Sequence, residues 1–266
     1  MPTTIPTTTS TDRASLSPSA GDAYFETDTK SYIIYDGTNW RVYASDGLAG
    51  WSGSNTYSMN FDGLNDTLIP NVQINVSGAK SLTIWFKASA FNNRSILGSS
   101  VGYLYWFHFG SSSTLSAING QTVNYTSWNS NDWFHLAATS SGPGNNLHIY
   151  VNGNPVNTNL ADYDFTFNRI GSNNAGNNYF FQGLIDEMGV WNTQLTGSEI
   201  AEIYGSPGNR AFDLTANSGN YSSASSLQHY YRMGDNDSGS SSTVTDNAGS
   251  NNLTINGATS SNTTPI

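Results

Sequence analysis

The chain contains no cysteine, which excludes disulfides and thiolate metal sites. Charge is also scarce. Charged residues make up 11% of the 266 positions, against about a quarter in an ordinary soluble domain. Only 9 of them are Lys or Arg, and the net charge is −10. Phosphate binding needs clustered basic residues, so no nucleic-acid partner is expected. No apolar run is long enough to span a bilayer, so no membrane insertion is expected either. The opening stretch, MPTTIPTTTSTDRASLSPSAGD, lacks a basic region followed by an apolar one. It therefore does not read as a Sec signal peptide. The chain is expected to stay in the cell that makes it or to leave by a route without such a signal. Assembly into a virus particle released by lysis is one such route.

Aromatic residues are plentiful, at 13%, and Asn, Ser, Thr and Gly fill most polar positions. That mixture builds strands and tight turns rather than long charged helices. The fold class expected is all-β. An acidic, weakly charged surface suits neutral partners such as glycans, or other protein subunits.

Residues 1–20 are rich in Thr, Ser and Pro without periodicity and read as an extended arm, held by a partner chain. Residues 21–45 carry three short aromatic and β-branched runs, AYFET, SYIIY and WRVYA. Asp36-Gly37 is a hairpin signal between the last two, so the segment reads as a small β-meander. Three short strands bury little by themselves and need a neighbour. Residues 46–54 read as a linker. Residues 55–205 hold many strand signals separated by Gly, Asn, Asp and Ser, the spacing of a sandwich or barrel. In LHIYVNG, Leu147, Ile149 and Val151 share one face and His148 and Tyr150 the other, with a turn at Asn152-Gly153. One helix is predicted: Thr196 with Glu199 three residues on forms a capping box, and Gly205 ends it. Residues 206–266 keep the strand-like pieces LQHYYRMG, STVTDNA and NLTING.

Several blocks fall in a telling order: YSMNFDGLNDTL, SLTIWFKAS, DWFHLAATSS, LHIYVNGNPV, FNRIGS and FQGLIDEMGVWNTQLTGSEIAEIY. This run, residues 55–205, resembles the concanavalin A-like lectin/glucanase superfamily in its laminin-G-like branch. The resemblance implies a jelly-roll of two antiparallel sheets with one short helix. Residues 227–258 resemble the strand unit that usually opens such a domain, placed last here. That unit completes the same sandwich or packs on another subunit. Residues 21–43 resemble a short segment of bacteriophage tail-fibre and other virion proteins, with Gly-Asp-x-Tyr-Phe-x-Thr-Asp-Thr followed by Tyr-Asp-Gly-Thr-x-Trp.

Glucan-cutting members of the superfamily carry alternating carboxylates on one strand. Here Asp186 and Glu187 are adjacent, and strict alternation would turn them to opposite faces. The chain is therefore expected not to be an enzyme. The resemblance also implies a structural Ca2+, with Asp62, Asp66 and Asp186 as ligands. The competing reading has Asp62 capping a turn before Gly63 and Asp186 accepting backbone hydrogen bonds. For sugar contact, Trp128 among Asn and Ser is the best exposed candidate, with Tyr103 and Tyr105 on one face of a neighbouring strand. In that strand Tyr103, Tyr105 and Phe107 should oppose Leu104, Trp106 and His108. His135 and His148 read as structural. Two functions follow. One is a virion structural protein, a capsid decoration or a tail or fibre component, mounted through residues 1–45 on other virion proteins. The other is a dedicated adhesin that binds host-surface glycan. A homo-oligomer fits either.

Overall fold

A computed structural model describes residues 6–26, 31–35, 37–45, 55–99, 105–111, 114–118, 121–123, 125–173, 179–205, 212–237, 239 and 242–265. The chain divides into two compact units, Met1–Gly53 and Ser54–Ile266. The predicted linker over 46–54 lies outside the described residues.

The first unit is a four-stranded sheet of β1 (Thr7–Thr8), β2 (Ala23–Glu26), β3 (Ser31–Tyr35) and β4 (Trp40–Ser45), in that order. The last three are the predicted meander. The arm is not simply extended: β1 pairs parallel with β2, Thr7 opposite Phe25, and a 3₁₀ turn follows at Asp12–Ser15. Part of the segment is thus held by a strand of the same chain. Thr9 Oγ1 donates to Asp12 Oδ2 at 2.7 Å and fixes that turn. The Trp40 ring meets Tyr24 edge-on at 5.5 Å and Tyr35 at 5.3 Å, which gives the meander a small aromatic cluster.

The second unit is the sandwich. Its strands begin with β5 (Ser58–Asp62), β6 (Thr67–Pro70), β7 (Ile74–Val76), β8 (Lys80–Ala88) and β9 (Arg94–Gly98). They continue with β10 (Tyr105–Ser111), β11 (Thr114–Ile118), β12 (Thr122–Val123), β13 (Trp133–Ser140) and β14 (Asn146–Val151). Next come β15 (Asn154–Ala161), β16 (Phe165–Phe167), β17 (Arg169–Ile170), β18 (Gln182–Trp191) and helix α1 (Gly197–Tyr204). The last are β19 (Leu227–Tyr231), β20 (Thr243–Val244), β21 (Leu253–Asn256) and β22 (Thr259–Ser261). One sheet runs β12-β11-β10-β9-β17-β6-β21-β20 and the other β15-β14-β13-β8-β18-β5-β22, with β19 also on β18. Strands β7 and β16 form a separate pair.

The C-terminal strands lie inside these sheets. Strand β21 pairs with β6, Leu253 opposite Pro70, and β22 pairs with β5. Residues 227–258 therefore contribute strands to this same sandwich.

The main core lies between the sheets. Alternation supplies it: Ile84 and Phe86 of β8, Leu136 and Ala138 of β13 and Leu147, Ile149 and Val151 of β14 all point inward and are buried. A second cluster covers the other face of the second sheet, where Ile200 and Ile203 of α1 meet Ala137, Trp191 and Tyr230. The helix starts as its sequence predicts: the Thr196 side chain accepts from the Glu199 N–H, and the Glu199 carboxylate accepts from the Thr196 N–H. Burial pushes the Glu199 carboxyl up, but hydrogen bonds from Ser223, Thr196 and Ser222 outweigh it and hold the group below the usual range. Gly183, which opens the Gly-Leu-Ile-Asp-Glu strand, has φ +139, and a Cβ there would lie 2.0 Å from the Lys87 carbonyl. Only glycine permits that approach of β18 to β8. Among the described residues no helix is long and apolar enough to cross a membrane.

Candidate functional site

The three aspartates singled out for calcium do not converge. Asp62 and Asp66 share the turn between β5 and β6. Asp62 Oδ1 accepts the N–H of Leu64 at 2.7 Å, and Asp66 Oδ2 accepts the N–H of Asp62 at 2.7 Å. Burial, reinforced by the charge of Asp62, holds the Asp66 carboxyl above its ordinary value. Asp186 lies four residues along β18 from Gln182, the residue opposite Asp62, and so more than 10 Å away at strand rise. Its oxygens accept from Asn55 Nδ2 at 3.0 Å and the Glu187 N–H at 2.8 Å. These carboxylates already serve backbone and amide donors, and no group of three His, Asp or Glu among the described residues is arranged to hold a metal. The donor set does not fit one calcium ion.

Asp186 and Glu187 do not point to opposite faces. The β18–β8 register shifts between Asp186 and Gly189, and Glu187 has φ +44. This bulge places Ile185 and Met188 both in the main core. The two acids between them turn away from it together. At the same place the neighbour of β18 changes from β5 to β19. A buried polar network fills the fork. Arg232 donates through Nε to Glu187 Oε1 at 3.2 Å and through Nη2 to Asp235 Oδ2 at 2.8 Å. The Tyr230 hydroxyl donates to Glu187 Oε2. Asp235 Oδ1 accepts the N–H groups of Thr56 and Tyr57 ahead of β5, both at 2.8 Å. Burial pushes the Asp186 carboxyl well above its usual range, with the Glu187 charge adding to the rise. Burial also lifts Glu187, to about 7, against the pull of Arg232. Asp186 is 0% and Glu187 7% exposed, so neither can reach a substrate.

Trp128 is not an exposed platform. It is 7% exposed, and its ring meets Tyr125 at 4.5 Å, Phe134 at 5.0 Å and Phe109 at 5.6 Å. Its neighbours in sequence are polar, but the indole turns inward and plugs the sandwich. Tyr103 lies outside the described residues. Tyr105 opens β10 opposite Gly98, and only its backbone is described. The alternation expected in β10 also fails: Trp106 and Phe107 are both in the main core, because Phe107 has φ +57.

Past that irregularity β10 alternates again. Phe109 enters the core, so His108 faces away from it. Opposite His108 stand Ser95 on β9 and Ser116 on β11. Ser95 Oγ and His108 Nδ1 are 2.8 Å apart. Burial lowers the His108 pKa, so the imidazole is neutral near pH 7. The ring of Tyr179 stands edge-on over His108 at 4.8 Å, and the residue as a whole is 42% exposed. Tyr179 adopts φ +55, a conformation uncommon without glycine, and its carbonyl accepts the Ser95 N–H at 2.9 Å. Next to it, Arg94 Nη1 donates to the carbonyls of Gly63 at 2.9 Å and Phe180 at 2.8 Å. The result is an exposed ring on a fixed backbone beside a neutral imidazole and two hydroxyls. The exposed aromatic side chain can stack on the apolar face of a sugar, while His108 and Ser95 lie buried beneath it. Neither His108 nor Tyr179 stands out in the sequence. The usable signal is the polar interruption of the aromatic run YWFHFG by His108.

A concavity lies on the second sheet. The face of β14 predicted to carry His148 and Tyr150 borders, with Gln194 and Thr196, an open cleft of about 240 Å3. Burial raises the Tyr150 pKa, so its hydroxyl stays protonated.

Residues 61–201 match the model of the laminin-G-like family in the concanavalin A-like lectin/glucanases superfamily, and the chain belongs to that family. No curated protein matches it. Among solved structures, it is similar to a protein of Bacteroides ovatus described as a candidate carbohydrate-binding protein. That likeness has TM-score 0.60 and 20% identity, over 92% of this chain and 70% of that one. It is also similar to a heptameric SAP-like pentraxin of Limulus polyphemus, with TM-score 0.45 and 16% identity, over 64% of this chain and 88% of that one. Domain 4 of an extracellular arabinanase of Geobacillus stearothermophilus, solved with arabinotriose, gives TM-score 0.43 and 19% identity, over 55% and 76%.

Proposed function

We propose that the chain is a non-catalytic carbohydrate-recognition protein whose sandwich binds a glycan over Tyr179, which is seated on the buried His108. The observation that carries this reading is Tyr179, a residue 42% exposed on a backbone at φ +55. Strained residues of this kind concentrate at ligand sites. Beneath Tyr179, His108, 7% exposed, and Ser95, 0% exposed, are held to each other and seat the side chain that Tyr179 presents. Membership of a lectin-like family supports the reading, as does the description of the Bacteroides ovatus neighbour. The burial of Asp186 and Glu187 supports the absence of glycosidase chemistry, which needs two carboxylates open to the glycosidic bond.

The sandwich is displayed on a bacteriophage particle, as a capsid decoration or a tail or fibre component. The phage-like pattern over 21–43 supports this, as does the division of the chain at Gly53 into a small sheet and the sandwich. In this reading residues 1–45 dock on other virion proteins and the glycan belongs to the host surface. A dedicated adhesin would share the sugar site and lack the mounting. Mass spectrometry of purified particles and a cryo-EM map of the chains around residues 1–45 test the mounting. Absence of the chain from particles sinks it. A glycan array probed with wild type and Tyr179→Ala tests the sugar site, and no binding by wild type, or binding equal in both, sinks that.

A further inference from the structure

Lys80 begins β8, and Asp162 directly follows β15, 82 residues later. Their side chains are 0% and 2% exposed. Lys80 Nζ lies 2.7 Å from Asp162 Oδ2, 3.1 Å from the Gly78 carbonyl and 5.6 Å from the centre of the Phe165 ring. Asp162 Oδ1 is buried without a hydrogen-bond partner. An ion pair in such surroundings is costly, because two charges lose their water and one carboxylate oxygen receives no donor in return.

We propose that Lys80 and Asp162 condense into an intramolecular isopeptide bond. A proton first crosses the existing hydrogen bond from Nζ to Oδ2. The freed nitrogen lone pair attacks Cγ, so the Nζ–Cγ bond forms. The Cγ–Oδ2 bond then breaks, and the hydroxyl leaves as water with a proton from Nζ. Nothing is oxidised and no co-reactant is consumed. The Gly78 carbonyl holds one Nζ–H and aims the nitrogen, and burial keeps out water that would reverse the step. No other carboxyl hydrogen-bonds to the pair among the described residues, so no third acid relays the proton and the reaction is slow. The product is a covalent tie between β8 and the segment entering β16, in a chain with no cysteine for a disulfide.

The test is intact-mass spectrometry of the full chain, aged until its mass is constant. The expected result is a loss of about 18 Da, one water. Digestion should give a branched peptide joining Lys80 to Asp162, and Lys80→Arg should restore the linear mass. Wild type that keeps the linear mass, with Lys80 and Asp162 recovered in separate peptides, overturns the proposal. So does a water loss that persists in Lys80→Arg, which would put the dehydration elsewhere. If the bond forms, Lys80→Arg should also lower the melting temperature by roughly 10 °C, as loss of a long-loop crosslink does.

Discussion

Glu187 and Arg232 form a buried pair, Nε to Oε1 at 3.2 Å, where β18 exchanges β5 for β19. Arg232 also holds Asp235, which caps the backbone entering β5. One guanidinium thus joins the middle of the chain to its last strands. Arg232→Ala should destabilise the sandwich by about 3–5 kcal/mol, the cost of leaving buried carboxylates uncompensated. Urea unfolding measures it. A cost under about 1 kcal/mol would mean that the fork is wet and the network slack.

The same network sets a pH dependence. Asp186 is raised well above its unfolded value by burial and then by Glu187. Between the unfolded and folded pKa the native state keeps a proton that the unfolded chain has lost. Its contribution is therefore full below about pH 4 and is lost as pH rises. Asp186→Asn has no such proton. The variant should gain stability relative to wild type as pH rises above the unfolded aspartate value of about 4. His135, held neutral down to about 3 by burial, tilts the other way: its contribution is lost as pH falls below the unfolded histidine value. Comparing variant and wild type at each pH cancels that slope. A constant difference across the range would contradict a protonated Asp186.

Trp128→Ala should cost about 3–5 kcal/mol of stability, because the indole fills the aromatic end of the core. Thermal melting measures it. Glycan binding by the fraction that stays folded should be unchanged. A stable variant that has lost binding would return Trp128 to the site.

Calcium is expected to be dispensable. Asp62, Asp66 and Asp186 spend their oxygens on backbone and amide donors in two separate places. The melting curve should be the same in EDTA and in excess calcium. A rise with calcium that disappears in Asp66→Asn would contradict this.

The features legible in the sequence were those set by local chemistry. The capping box of Thr196 and Glu199 places α1, Asn152-Gly153 places a hairpin, and the period of two in LHIYV gives its buried face. The misread positions are those where the period breaks. Glu187 and Phe107 both take positive φ, and each puts two neighbouring side chains on one side. Neither is a glycine, so nothing in the residue type marks the break. Trp128 was misread because polar neighbours do not fix the direction of a side chain. Tyr179 could not be found locally, because its role comes from His108, 71 positions earlier in the chain and adjacent only in the fold.

In the proposed reading Tyr179, seated on His108, is the side chain that meets the sugar. The most direct measurement is titration of the best glycan-array ligand into wild type, Tyr179→Ala and Tyr150→Ala. A sugar–aromatic contact of this kind is worth about 1–2 kcal/mol, so Tyr179→Ala should weaken binding by roughly five- to thirtyfold. Tyr179 is 42% exposed, so melting should hardly move. Tyr150→Ala should bind as wild type does. Unchanged affinity in Tyr179→Ala, with loss in Tyr150→Ala, would contradict the account and move the site to the cleft beside α1.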